Sequence, residues 1–145
     1  MSKATIVVGL DGSEAGARAL SFAQSQAKQI GECSITVCYV IEWSPFTFQT
    51  KEENEQRHKR REEELQRAHE VVLDPAVSDV QAQGIEVEGI VRHGDAADIL
   101  EEVAKKRGAH QIVVGRVGER GLKRLFGGVT GRLVAGSSVP VTIIP

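Results

Sequence analysis

Ala4-Thr5-Ile6-Val7-Val8-Gly9-Leu10-Asp11-Gly12-Ser13 begins as an uncharged, β-branched run and ends in a turn signal. A short run that is apolar on both faces fits a strand covered on both sides, the situation of strands in a parallel sheet. Ser13 supplies an N-cap hydroxyl and Glu14 an acid for a first helical turn, so a helix is predicted at once. Ala19, Leu20, Phe22, Ala23, Ala27 and Ile30 give that helix an apolar stripe, and Gly31 is a natural C-cap.

The same alternation repeats outward. Ser34–Ile41 reads as a second buried strand, Ile85–Arg92 as a third with clearer alternation, Gln111–Val114 as a fourth and Val139–Ile144 as a last. Between them, Lys51 to about Leu73 reads as a long charged helix, with Leu65, Ala68, Val71 and Val72 as the apolar face of its later part. Pro75 interrupts it or starts a new segment running to Gln83, and Gly84 ends that segment. Asp95 caps a helix over Ala96–Arg107 closed by Gly108, and a further helix lies around Val129–Ala135. The order β-α-β-α-β-α-β-α-β predicts an α/β fold: an open five-stranded parallel sheet with helices on both faces. Ligands of such sheets bind beyond the carboxyl ends of the strands, where strand order reverses. The loops after the first and fourth strands are therefore the places to look.

The 145 residues are expected to form one domain, 1–145. Hydrophobic residues make up 41%, charged residues 26%, and the formal net charge is -2, so no global pull toward nucleic acid or membrane is expected. The longest apolar runs fall far short of the ~20 residues of a membrane span, and the start of the chain lacks the pattern of a secretory signal, so a cytoplasmic location is the expectation. Cys33 and Cys38 fit neither a CxxC nor a zinc spacing and read as reduced thiols in or near the core.

After the fourth strand comes Gly115-Arg116-Val117-Gly118-Glu119-Arg120-Gly121-Leu122-Lys123-Arg124-Leu125-Phe126-Gly127-Gly128-Val129-Thr130. Glycines let backbone amides approach a phosphate, the helix that follows adds the positive end of its dipole, and Arg116, Arg120, Lys123 and Arg124 are nearby cations. The bland alternative is an ordinary connection. The loop is not a Walker A motif, because no Gly-Lys-[Ser/Thr] stands at the required spacing. Nor is it a dinucleotide fingerprint, which follows the first strand of its unit.

On these residues the chain resembles the universal stress protein family. The resemblance rests on Ile6-Val7-Val8-Gly9-Leu10-Asp11-Gly12-Ser13, Val40-Ile41, Gly94-Asp95-Ala96-Ala97, Ile112-Val113-Val114-Gly115 and Val139-Pro140-Val141-Thr142-Ile143-Ile144. It implies a Rossmann-like fold of the adenine-nucleotide alpha hydrolase type, ATP or a related adenine nucleotide as ligand with Mg²⁺ as its companion, and a stress-response regulator rather than a catalyst. It also implies a homodimer paired through the last strand, and a regulatory protein partner. By analogy the Val40 backbone would meet the adenine edge and Gly115 the ribose, with Val114 counted among the nucleotide-binding residues. Gly118, Gly128 and Val129 would hold phosphates through their amides, and Asp11 would line the cleft near ribose or a phosphate-bound Mg²⁺. Asp11 has a bland reading as well, a turn residue bonding its own backbone.

The family's ATP-binding branch carries Gly-x2-Gly-x9-Gly-[Ser/Thr]. Gly115, Gly118 and Gly128 match, but Val129 stands at the hydroxyl position; aligned backwards from Pro140, Gly127-Gly128 stands where Gly-Ser would be. Losing one hydroxyl-to-phosphate bond costs about 1–3 kcal/mol, and Thr130 is a substitute donor. The departure motivates a second expectation, a dimeric scaffold or partner-binding member without nucleotide. A third, slow ATP hydrolysis, has Asp11 as its only acid and no placed nucleophile or general base.

His58, His69, His93 and His110 are scattered, and His93 reads as a surface or loop residue unless it faces the cleft. The basic run Arg57–Arg61 is flanked by Glu53, Glu55 and Glu62–Glu64, and its i,i+4 pairs suit an exposed helix face. Trp43, Phe46 and Phe48 are either a lid or partner contact or a plug at the end of the core.

Overall fold

A computed structural model describes residues 3–41, 51–116 and 128–145, with the backbone alone at 51–54, 57 and 58. Five strands, β1 (Ala4–Leu10), β2 (Cys33–Ile41), β3 (Glu86–His93), β4 (Gln111–Gly115) and β5 (Val141–Ile144), form one parallel sheet in the order β3-β2-β1-β4-β5. Helices α1 (Glu14–Ile30), α2 (Lys51–Arg67), α3 (Asp74–Ala82), α4 (Ala96–Lys106) and α5 (Val129–Gly136) connect them, with a π-helical segment at Ala68–Leu73 between α2 and α3. The predicted α/β fold with its parallel sheet is the observed one.

The local signals act as their chemistry requires. Ser13 caps α1 by accepting the Gly16 amide, and Asp95 caps α4 by accepting the Asp98 amide at 3.0 Å. Gly31 ends α1 with φ 91, where a side chain would be strained.

Alternation along the strands divides the core in two. Ile6, Val8 and Leu10 of β1, with Ile35 and Val37 of β2 and Val113 of β4, pack against α1, α3 and Leu73 of the π segment. Val7, Cys38, Ile112 and Val114 point the other way, against Leu100 and Val103 of α4 and Leu133 of α5. Each strand between its neighbours is thus apolar on both faces, as its sequence suggests.

The break at Pro75 takes an unexpected form. The proline ring denies a helix the carbonyl four residues back, that of Val71. The chain responds upstream by widening a turn, so that the Asp74 amide bonds the His69 carbonyl five residues back. The π segment also places Val72 Cγ2 3.7 Å from where a Cβ on Gly12 would stand, at the carboxyl edge of the sheet.

Candidate functional site

Strand order reverses between β1 and β4. β1 pairs with β2 along its whole length, ending at Leu10↔Tyr39, whereas its pairing with β4 covers only Ile6↔Gln111, Val7↔Ile112 and Val8↔Val113. Beyond Val8 and Val113 the two strands are unpaired with each other, which opens the crevice that parallel sheets offer to ligands.

Gly115 closes β4 at that crevice, and three elements meet on it. A Cβ there would lie 2.7 Å from Ala15 Cβ and 2.8 Å from the Ala15 carbonyl carbon, so the first turn of α1 presses on bare backbone. Thr130, in the first turn of α5, donates its hydroxyl to the Gly115 carbonyl at 3.3 Å. β5 pairs alongside, Gly115↔Ile144, and the Arg116 amide donates to the Ile144 carbonyl at 2.7 Å. The amino-terminal ends of two helices, α1 and α5, therefore converge on one residue. Each such end carries amides without intrahelical partners and about half a positive charge. The N-cap of α5 is Gly128, whose extended backbone (φ -95, ψ -167) brings no side chain over those amides.

Of the expected site residues, Asp11, Gly115, Gly128, Val129 and Thr130 stand on the elements that frame this crevice. Val40 lies near the carboxyl end of β2, one strand away. Val114 is buried, with its side chain in the core under α4 and α5, so only its backbone faces outward. Val129 also packs its side chain toward that core layer. Gly118, the cations Arg120, Lys123 and Arg124, Gly127, and the aromatics Trp43, Phe46 and Phe48 lie outside the described residues, as do the side chains of Arg57 and His58.

Asp11 behaves as a turn residue: its Oδ1 accepts the Ser13 amide at 2.9 Å and also the Ser13 hydroxyl. Ser13 in turn accepts the Gly16 amide, so Asp11 braces the cap of α1. Thr130, expected as a substitute hydroxyl donor, has its hydroxyl on the Gly115 carbonyl. Asp95 and Arg132 form an ion pair that ties α4 to α5 next to the crevice and occupies that arginine. His93 is half-buried at the end of β3, with its Nε2 shut off from solvent. Burial pushes the Cys38 thiol up to about 11, so it stays protonated and inert; Cys33 is raised by the same cause.

The sequence reading overlooked Ala15, whose contact fixes why residue 115 is glycine, and Arg18, whose Nε donates to the Pro145 carbonyl at 3.0 Å. The first was detectable in principle as a small residue at the second helical position. Nothing local announces the second, because its partner lies 127 residues along the chain.

The uncapped amino-terminal end of α5 beside the bare backbone of Gly115 fits a phosphorylated ligand. The donors are backbone amides, which need no particular side chain. A bound nucleotide would supply the anion that the α5 end lacks; this chain supplies the amides of α5, the shelf at Gly115, and the Asp11 oxygen not used by the turn, Oδ2, which suits a ribose hydroxyl or a phosphate-bound Mg²⁺. Among the described residues no group of three or more His, Cys, Asp and Glu side chains gathers for a metal, and no helix is long and apolar enough to cross a membrane.

The model of the universal stress protein family matches residues 4–145. The universal stress protein MJ0531 of Methanocaldococcus jannaschii is 30% identical over 141 residues, covering 96% of this chain and 80% of that protein. The structure of universal stress protein UspA from Lactobacillus plantarum superposes with a TM-score of 0.84 at 20% identity, covering 100% of both chains. A universal stress protein solved in complex with cAMP superposes with a TM-score of 0.69 at 23% identity, covering 100% of this chain and 99% of that one. The same fold occurs in a complex with dAMP from Archaeoglobus fulgidus and in an AMP-bound protein from Arabidopsis thaliana, with TM-scores of 0.61 and 0.64.

Proposed function

The chain belongs to the universal stress protein family, and from that premise we propose that it binds an adenine nucleotide, ATP in the first instance, as a stress-response regulator. The observation that carries this reading is the convergence of α1 and α5 on Gly115, beside strands that separate after Val8 and Val113. The adenine would lie toward Val40, the ribose at Gly115 near Asp11, and the phosphates at the α5 amides of Val129 and Thr130 and at Gly118. Mg²⁺ would accompany the phosphates. That solved structures of the same fold carry cAMP, dAMP and AMP supports the adenine class. The reading extends to a cytoplasmic protein of one domain that pairs as a homodimer through β5 and signals to a protein partner.

Titration calorimetry of nucleotide-stripped protein with Mg-ATP, and with AMP, tests this. The informative variant is Gly128→Asp. Aspartate is a preferred N-cap and the backbone there is extended, so α5 is kept or slightly strengthened while a carboxylate is set on the phosphate site. Micromolar binding by the parent, lost in a variant of unchanged melting temperature, is the expected result. No heat from either nucleotide would overturn the nucleotide reading.

One observation favours a second reading. Val129 offers no hydroxyl, and that of Thr130 is committed to Gly115, so a dimeric scaffold without nucleotide is the reading that survives a null titration.

A further inference from the structure

The end of the edge strand is fastened to the crevice from two sides. The Arg116 amide, one residue past Gly115, donates to the Ile144 carbonyl at 2.7 Å, and Arg18 Nε donates to the Pro145 carbonyl at 3.0 Å. Arg18 sits on α1 one helical turn after Ala15, the residue pressed on Gly115. Ile144 packs its side chain into the α1 layer of the core. Arg18, Pro145, Ile144, Arg116, Gly115 and Ala15 therefore close a ring of contacts: α1 to β5, β5 to β4, and β4 back to α1. This ring has one side-chain closure, the guanidinium of Arg18. The other links are backbone hydrogen bonds or packing.

We infer that Arg18 is a positioning residue for the crevice: by holding the Pro145 carbonyl it keeps the end of β5 paired, and so keeps the Gly115–Arg116 backbone in place beneath any bound ligand. This rests on the proposed nucleotide reading for its ligand, but its mechanical part does not. By reciprocity, a ligand seated on Gly115 stabilises the end of β5. Pro140 and Ile144 turn their carbonyls to β4, so the alternate residues present their backbone groups outward.

The test uses Arg18→Gln and Arg18→Lys beside the parent, with amide exchange by NMR and ATP titration on each. In Arg18→Gln the Arg116 amide is expected to exchange about two- to five-fold faster, the size of an exposed hydrogen bond from a charged donor. Amides deep in the sheet, such as that of Val37, stay at the parent rate. ATP affinity is expected to fall several-fold in step, and Arg18→Lys, which keeps a cationic donor, to recover part of both. Unchanged exchange at Arg116 in Arg18→Gln overturns the strap outright. Faster exchange with unchanged ATP affinity overturns the positioning role while leaving nucleotide binding intact. If the parent binds no ATP, the nucleotide reading falls separately and the exchange result alone decides whether Arg18 holds the strand end.

Discussion

Gly115 shows how a single missing side chain decides local architecture. Its hypothetical Cβ meets Ala15 at the Cβ, the carbonyl carbon and the carbonyl oxygen, the last at 2.9 Å. Backbone in the first turn of a capped helix does not yield cheaply, so Gly115→Ala is expected to cost about 1–3 kcal/mol by overpacking. Gly9 provides the contrast. Its Cβ would meet the side-chain ends of Leu100 at 2.9 Å and Val114 at 3.2 Å, buried atoms that have to shift by a few tenths of an ångström but are not backbone. Urea unfolding of the two alanine variants measures the difference, and equal losses would refute the claim that α1 backbone is the obstacle. The presence of Gly115 was plain in the glycine loop, and so was its place at the carboxyl end of β4. Its partner was not, because the sequence suggested a ligand as the reason for the glycine, whereas α1 packing suffices to require it. Thr130 carries the same lesson: a hydroxyl at the start of α5 suggests a ligand donor in the sequence, and the structure sets it on a carbonyl 15 residues earlier.

Between elements, polar anchors hold the far edge of the sheet. Arg107, at the end of α4, grips Glu88 of β3 with two nitrogens, at 3.0 and 2.6 Å. The hydrogen bonds from Arg107, aided by its charge, hold the Glu88 carboxyl below the usual glutamate range despite some desolvation. A depressed carboxylate contributes stability at pH values above its unfolded-state pKa, and that contribution is lost as pH falls through the folded value. A double-mutant cycle with Glu88→Gln and Arg107→Gln is thus expected to give a coupling of about 0.5–1 kcal/mol near neutrality, the range of half-exposed pairs. The coupling should fade only in acid, below the ordinary glutamate range, and one that survived there would contradict the assignment. Elements were the most legible scale. β-branched runs, Ser13, Asp95 and the terminal glycines located strands and helix ends to within a residue or two, since each acts through neighbours in sequence. The π turn was not legible: Pro75 announces a break, but whether the helix ends or widens depends on Leu73 and Val72 finding the sheet.

At the scale of the molecule, the two edges of the sheet differ. β3 carries Glu86, Glu88 and Arg92, charges that discourage further pairing, whereas β5 is Val-Thr-Ile-Ile and half-buried throughout. Pairing of two copies through β5 is expected to make the protein a dimer at micromolar concentration in sedimentation velocity. Ile143→Pro removes an outward-facing donor from the edge and should shift it to monomer with its far-UV dichroism retained; a parent that sediments only as monomer would remove this interface. Which strands neighbour which could not be read from local pattern, because strand order is a matter of distant partners. That order bears on how the chain is made. β1, β2 and β3 lie side by side in the order of synthesis, so they can assemble with α1 and α3 while the ribosome is still translating the rest. β4 must then travel back past the finished half and take its place against three residues of β1. The crevice is therefore created last, and a nascent chain has nowhere to put a ligand until its final third has emerged.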